Sequence, residues 1–195
     1  MKASHYVLAA LFILALVGGY LVSSGRLGIN LDQYAPKAPG GDFELQSLHG
    51  PVKLSDFRNK LVLIYFGYTY CPDICPTALS LTNAGFKLLE PAEQEQVQML
   101  LISVDPNRDK LERLEEYVGF FHPSMLGITG TKEQLDDITR RFGAYYSIPA
   151  DAPAENYAVD HSSQTLVIGK DGTLEEYIQH GTDPDEVAKT IRRYL

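Results

Sequence analysis

Between Tyr6 and Ser24 the chain reads YVLAALFILALVGGYLVSS, nineteen residues without a charge. As a helix rising ~1.5 Å per residue this segment is roughly 28 Å long, close to the hydrocarbon thickness of a bilayer. Polar positions with Pro36 and Pro39 then mark a linker over 25–40. Phe43-Glu44-Leu45 and Val52-Lys53-Leu54 flank Leu48-His49-Gly50 and predict a hairpin. Leu61 to Phe66 (LVLIYF) is continuously apolar, which predicts a central strand covered on both faces. A helix is expected from Pro76, with Ala78, Leu81, Gly85 and Leu88 as its inward stripe.

Val97 to Val104 (VQMLLISV) predicts the next buried strand, and Leu111, Leu114, Val118 and Phe121 recur at helical spacing. Leu126-Gly127-Ile128 suits a short strand. Thr131 and Gln134 form a capping-box pattern ahead of Leu135, Ile138 and Phe142. Tyr146 to Asn156 reads as irregular. Thr165–Ile168 and Thr173–Ile178 flank Asp171-Gly172, a strong hairpin signal. The last helix has Asp183 as cap, Pro184 at its first position, Glu186 to close the box, and Arg192 and Arg193 near its C-terminal dipole. This order predicts an α/β, thioredoxin-like domain over 41–195 with added N-terminal and internal β-hairpins, preceded by one transmembrane helix over 6–24 and a tip of residues 1–5. No internal repeat or low-complexity run is present.

Lys2 precedes the apolar segment and Arg26 follows it, a slight bias for the N-terminus inside. A cleaved signal peptide is the rival reading. Its apolar core is usually shorter, and Val22-Ser23-Ser24 is a poor cleavage site, so an uncleaved anchor is favoured. The segment lacks the Arg- and Ser-rich character of a mitochondrial presequence. The expectation is therefore a single-pass protein of a bacterial inner membrane facing the periplasm, rather than of the mitochondrial inner membrane. A net charge of −8 and the lack of a basic stripe argue against a nucleic-acid partner.

The two cysteines of the chain, Cys71 and Cys75, stand four apart just after the central strand. Two cysteines are too few to staple a domain that needs no staple. Pro76 disfavours helical angles at Cys75, which places Cys75 as the cap of the helix and Cys71 in the turn before it. Both sulfurs then lie near a helix N-terminus, where a lowered thiol pKa is expected. Cysteines packed merely as small hydrophobes would sit on a core stripe, whereas these flank a turn. The pair can exchange disulfides or hold a soft metal. Structural zinc would want four ligands, while copper(I) accepts two thiolates and one more donor.

Phe66-Gly67-Tyr68-Thr69-Tyr70-Cys71-Pro72-Asp73-Ile74-Cys75-Pro76 closely resembles the signature of the Sco/SenC copper proteins. Ser103-Val104-Asp105-Pro106-Asn107-Arg108-Asp109 and Val159-Asp160-His161-Ser162-Ser163 resemble the family too, in its order. The resemblance runs from about Gly40 to the end. It implies a thioredoxin-like fold, copper as Cu(I) and Cu(II) bound by Cys71, Cys75 and His161, and a redox-active pair able to form a Cys71–Cys75 disulfide. It also implies a role in building the dinuclear copper site of cytochrome c oxidase subunit II, the expected partner. A copper-donor chaperone or thioredoxin-like reductant would be a further partner. Tyr70 stands where some members have histidine, which touches only an auxiliary role.

Two functions stay open on these residues: a metallochaperone, which is not an enzyme in the turnover sense, and a thiol-disulfide oxidoreductase that reduces the copper-ligand cysteines of the subunit. Asp160 is expected either to tune His161 or simply to start a strand. Asp105 is expected either to support the site or to pair with Arg108. His5, His49, His122, His180, Met99 and Met125 are assigned no ligand role.

Overall fold

The computed structural model describes residues 40–149 and 157–195. The apolar segment over 6–24 and most of the linker lie outside them. Among the described residues no helix is long and apolar enough to cross a membrane.

Strands β1 (Glu44–Ser47) and β2 (Gly50–Lys53) form the expected N-terminal hairpin, with Leu45 opposite Val52. β3 (Leu61–Gly67) is buried at all seven positions. A strand buried on both faces has no polar side to alternate with, which is why its sequence is a continuous apolar run. α1 (Ile74–Lys87) follows, then the short α2 (Pro91–Gln94), β4 (Val97–Ser103), α3 (Leu111–Gly119), β5 (Leu126–Ile128) and α4 (Lys132–Arg141). The rest is β6 (Tyr146–Ser147), β7 (Asp160–His161), β8 (Thr165–Ile168), β9 (Leu174–Ile178) and α5 (Pro184–Tyr194).

The main sheet has the order β5-β4-β3-β8-β9. β3 runs parallel to β4, and β4 to β5, while β8 pairs antiparallel with β3 and with β9. This is the thioredoxin-like arrangement that the order of elements predicts. The β1–β2 hairpin docks beside β5 through the reciprocal Gln46–Thr129 backbone bonds of 2.8 and 3.0 Å. α1 crosses α5 at Gly85, where an added Cβ would stand 2.5 Å from Val187 Cβ. That close approach is what the missing side chain permits.

Several expectations are corrected. α1 begins at Ile74 with Asp73 as its cap, two residues before Pro76. Proline is tolerated there because the first-turn amides of a helix have no intrahelical partner to lose. The first such bond runs from the Thr77 amide to the Asp73 carbonyl, 3.1 Å. The inward face is Cys75, Ala78, Leu79, Thr82, Asn83, Gly85 and Phe86, and Leu88 is exposed. Two polar residues face inward with one polar contact each: Thr82 Oγ1 lies 3.3 Å from Thr165 Oγ1, and Asn83 Nδ2 donates to the Phe121 carbonyl at 2.6 Å. The stretch expected to be irregular contains β6, which pairs antiparallel with β7. Asp183 caps α5 through the Asp185 amide at 2.9 Å, while Glu186 pairs with Lys189 instead of closing a box.

Candidate metal centre

β3 ends at Gly67, and the chain then turns through Tyr68–Pro72 into α1. The Cys71 amide donates to the Tyr68 carbonyl at 3.3 Å, closing the turn. Cys71 Sγ in turn accepts the Cys75 amide at 3.4 Å. Cys71 is therefore half-buried at a helix N-terminus, with a backbone N–H donating to its sulfur. Asp73 makes no side-chain capping bond.

Cys75 is fully buried. Its sulfur fits beside Gly67, where an added Cβ would meet Cys75 Sγ at 3.0 Å and Tyr65 Cε1 at 2.9 Å. Burial pushes the Cys75 thiol well above its ordinary range, against a smaller lowering by the Tyr68 amide. The lowered pKa expected from the helix terminus fails here because desolvation of a sealed sulfur outweighs the dipole. Both cysteines are free thiols.

His161 arrives on β7, which β6 holds through the Tyr146–His161 pairing and the 2.9 Å bond from the Ser162 amide to the Tyr145 carbonyl. Its Nδ1 lies 2.9 Å from the Ser162 carbonyl oxygen. A carbonyl can only accept, so Nδ1 carries the proton and the lone pair of neutral imidazole sits on Nε2. Nε2 lies 3.3 Å from Cys75 Sγ. Burial holds the imidazole below its usual pKa, which keeps Nε2 unprotonated and able to ligate. Tyr65 and Tyr68 set their rings edge-on to the histidine, with centroids 6.0 and 5.7 Å away.

One ligand atom from each of Cys71, Cys75 and His161 thus falls within 4.8 Å of the others, the one such metal-competent group containing cysteine among the described residues. Two sulfurs and one imidazole nitrogen make a soft donor set that fits copper(I) and excludes the all-oxygen preferences of magnesium or calcium. The group opens to one side into a cleft of about 380 Å³, with Tyr145, Ile74 and Asp160 on its rim.

A second layer of contacts holds the two halves of the site together. Arg108 Nε donates to Asp105 Oδ2 at 2.5 Å, with both side chains buried. Arg108 also donates to the Tyr157 carbonyl at 2.9 Å, and Tyr157 donates its hydroxyl to Asp105 Oδ1 at 2.6 Å. The guanidinium lies 3.4 Å from the Tyr157 ring centroid and 4.8 Å from that of Tyr70. One cation therefore ties the Cys71 turn to the segment leading into His161. Asp105 is the acidic partner of Arg108. Asp160 is exposed, starts β7 and acts on His161 only as the weakest of several influences.

Sequence reasoning passed over Asp109, Tyr157 and Tyr65. Asp109 is buried and accepts from the Thr69 amide, the Thr69 hydroxyl and the Ser103 hydroxyl at 2.9, 2.6 and 2.6 Å. The signal was a second acid four residues after Asp105 in a loop leaving a buried strand. His49 pairs with Glu115 on the surface, His122 packs on Phe86, His180 is exposed, and Met99 and Met125 are core.

The family described as SCO1/SenC matches residues 32–195. The chain belongs to the SCO1/SenC family. It is 37% identical over 157 residues to the Bos taurus protein named "Protein SCO2 homolog, mitochondrial", a match covering 80% of this chain and 59% of that one. It is 33% identical over 210 residues to "SCO2-like protein RC0895" of Rickettsia conorii, covering 98% and 99%. The chain thus spans less than two thirds of its bovine relative but nearly all of the rickettsial one. Among solved structures, Bradyrhizobium japonicum ScoI with copper bound superposes with a TM-score of 0.72 at 29% identity, over 81% of this chain and all of that one.

Proposed function

We propose that this SCO1/SenC protein binds one copper ion through Cys71, Cys75 and His161 and delivers it to subunit II of cytochrome c oxidase during assembly of that enzyme. The observation that carries the reading is the convergence of two sulfurs and an imidazole nitrogen within 4.8 Å from two separate parts of the chain. The copper-bound state of the B. japonicum relative, whose fold this domain shares, supports copper as the ion. The ligands divide by access. Cys75 is the buried ligand, while Cys71 and His161 stand half-buried at the cleft, where an incoming thiolate reaches them first. Such a transfer needs little buried surface, so the encounter is weak and transient. The domain works at the outer face of a membrane, anchored by the uncharged segment over 6–24, in a bacterial periplasm. The rickettsial relative supports a bacterial setting, as the bovine one supports an equivalent mitochondrial setting for the family.

The test is copper stoichiometry and X-ray absorption on the reduced full chain and its His161→Ala variant. One copper(I) with two sulfurs and one nitrogen is expected in the parent, and loss of the nitrogen with binding weakened by about 100-fold or more in the variant. Absence of sulfur from the copper sphere would sink the reading.

A second reading, thiol-disulfide exchange on the partner's copper-ligand cysteines, is favoured by the accessible Cys71 sulfur with its helix N-terminal amide. Cys71 would be the attacking thiol and Cys75 the resolving one. The same pair serves both readings, and His161 separates them: copper transfer needs it, dithiol exchange does not.

A further inference from the structure

Two tyrosines flank His161, and their hydroxyls are used differently. Tyr68 Oη accepts the Val159 amide at 3.2 Å and so fixes the segment that carries the histidine. Tyr65 is 1% exposed at the centre of the main sheet, and its hydroxyl makes no hydrogen bond of good geometry among the described residues, although the Cys75 side chain is close enough to act on it as a weak acceptor. Its ring edge and Cys75 Sγ pack against the same glycine, at 2.9 and 3.0 Å from where a Gly67 Cβ would stand. Apart from burial, Cys75 is the group that bears most on the Tyr65 hydroxyl, with Cys71 next after it.

A buried hydroxyl without a good acceptor is destabilising, so its retention beside a sulfur needs a reason. A neutral thiol is a poor acceptor. A metal-bound thiolate is a good one, because its charge strengthens the bond. The phenol thus faces only a weak acceptor in the metal-free protein and gains a strong one when the sulfur ligates.

We propose that Tyr65 is a positioning residue for the metal centre, whose hydroxyl donates a hydrogen bond to Cys75 Sγ once that sulfur is a copper ligand. The inference rests on the copper-binding reading above. By drawing electron density from the sulfur, the bond lowers the energy of its donor orbitals and orients it towards the ion. It makes the outer contact for Cys75 that the Ser162 carbonyl makes for His161. Tyr117 supplies an internal control. Its hydroxyl is also buried without a partner and also lies under the influence of Cys75, but its ring packs on Phe121 rather than on His161.

The experiment compares the full chain with its Tyr65→Phe and Tyr117→Phe variants, each loaded with copper(II) and with copper(I). Tyr65→Phe keeps the ring and removes only the hydroxyl. Its metal-free melting temperature is expected to be unchanged or higher. Its sulfur-to-copper(II) absorption should move to longer wavelength, and copper(I) affinity, read by chelator competition, should fall by about 10-fold or more. Tyr117→Phe should leave the absorption where it is. A Tyr65→Phe protein with an unmoved band and unchanged affinity overturns the inference while copper binding stands. So does one that unfolds without metal, since the hydroxyl would then serve the empty state. A band moved equally by Tyr117→Phe takes the role away from Tyr65. A parent chain that shows no sulfur-to-copper absorption removes the copper reading and this inference together.

Discussion

Cys75 Sγ and His161 Nε2 stand 3.3 Å apart although 86 residues separate them in the chain. Nothing local makes them neighbours. Cys75 is set by the start of α1 against Gly67, and His161 by the β6–β7 pairing and the Tyr68 hydroxyl. The distance is fixed by two independent supports, and each can be removed without touching a ligand.

Gly67→Ala removes the first. Its Cβ would press on Tyr65 Cε1 at 2.9 Å and Cys75 Sγ at 3.0 Å, neither of which is the free end of a flexible chain. Overpacking of this kind costs about 1–3 kcal/mol. Urea unfolding should show that loss, and chelator competition should show weaker copper(I) binding, because the sulfur it displaces is a proposed ligand. Full stability with unaltered copper affinity would show that the glycine is not needed for the close approach.

Replacing Arg108 loosens the Tyr157 end of the segment that leads into His161. The Asp105–Arg108 pair is buried on both sides, at 7% and 0% side-chain exposure. Taking away one partner leaves an uncompensated charge, which costs about 3–5 kcal/mol. Arg108→Met should therefore destabilise the protein strongly, and Arg108→Met combined with Asp105→Asn should recover part of the loss. The double-mutant cycle in urea decides it: simple additivity of the two substitutions would mean that the pair is not coupled.

Much of this frame was legible in the sequence, and the gaps have physical reasons. β3 and β4 announced themselves because strands buried on both faces need unbroken apolar runs. The start of α1 was misplaced because Pro76 was read as the first helical residue, when any first-turn position lacks an amide partner to lose. β6 left no signal and β7 only the reading of Asp160 as a strand start, because two-residue strands have no periodicity. His161 carried no local signal and was reached only through the family's third stretch. Tyr65 was hidden inside the apolar run of β3, where a hydroxyl with no partner looks like any other core ring.

Metal-free stability should fall on the acid side of neutrality. Burial holds His161 and His122 below the ordinary imidazole value of 6.5. As pH drops through 6.5 the unfolded chain takes up protons that the folded one refuses, so unfolding is favoured. The opposite edge comes from Cys75, whose folded pKa is raised above 9.0 by burial. Above about pH 9 the unfolded thiol ionises while the folded one stays protonated, and stability falls again. Denaturation midpoints across this range should form a plateau between the two edges. Replacing His122 by Gln should flatten part of the acid edge, and no change there would show that this ring titrates normally in the fold.

Oxidation of the metal-free protein should join Cys71 to Cys75. Their sulfurs lie within 4.8 Å, and bond formation at about 2.05 Å asks for side-chain rotation at the half-buried Cys71 end rather than movement of the buried one. Mass spectrometry should find a loss of two hydrogens within one peptide, and the disulfide form should hold no copper. Products linked only between chains would contradict the geometry. Because His161 takes no part in this bond, His161→Ala should oxidise with the same stoichiometry.

That independence allows delivery and thiol reduction to be told apart in cells. Cys75→Ser abolishes both activities and so separates nothing. His161→Ala keeps the dithiol, with Cys71 Sγ still beside the Cys75 amide, but loses the Nε2 donor that faces Cys75. If copper delivery is the working function, cells that carry only His161→Ala should assemble oxidase poorly at limiting copper and improve when copper is added, since mass action then compensates for weakened binding. If reduction of the partner's cysteines is the working function, the variant should behave as the parent at every copper level. The measurement is oxidase activity together with the copper content of subunit II across a copper series. Normal assembly by His161→Ala at the lowest copper level would transfer the function from the three-ligand centre to the cysteine pair alone.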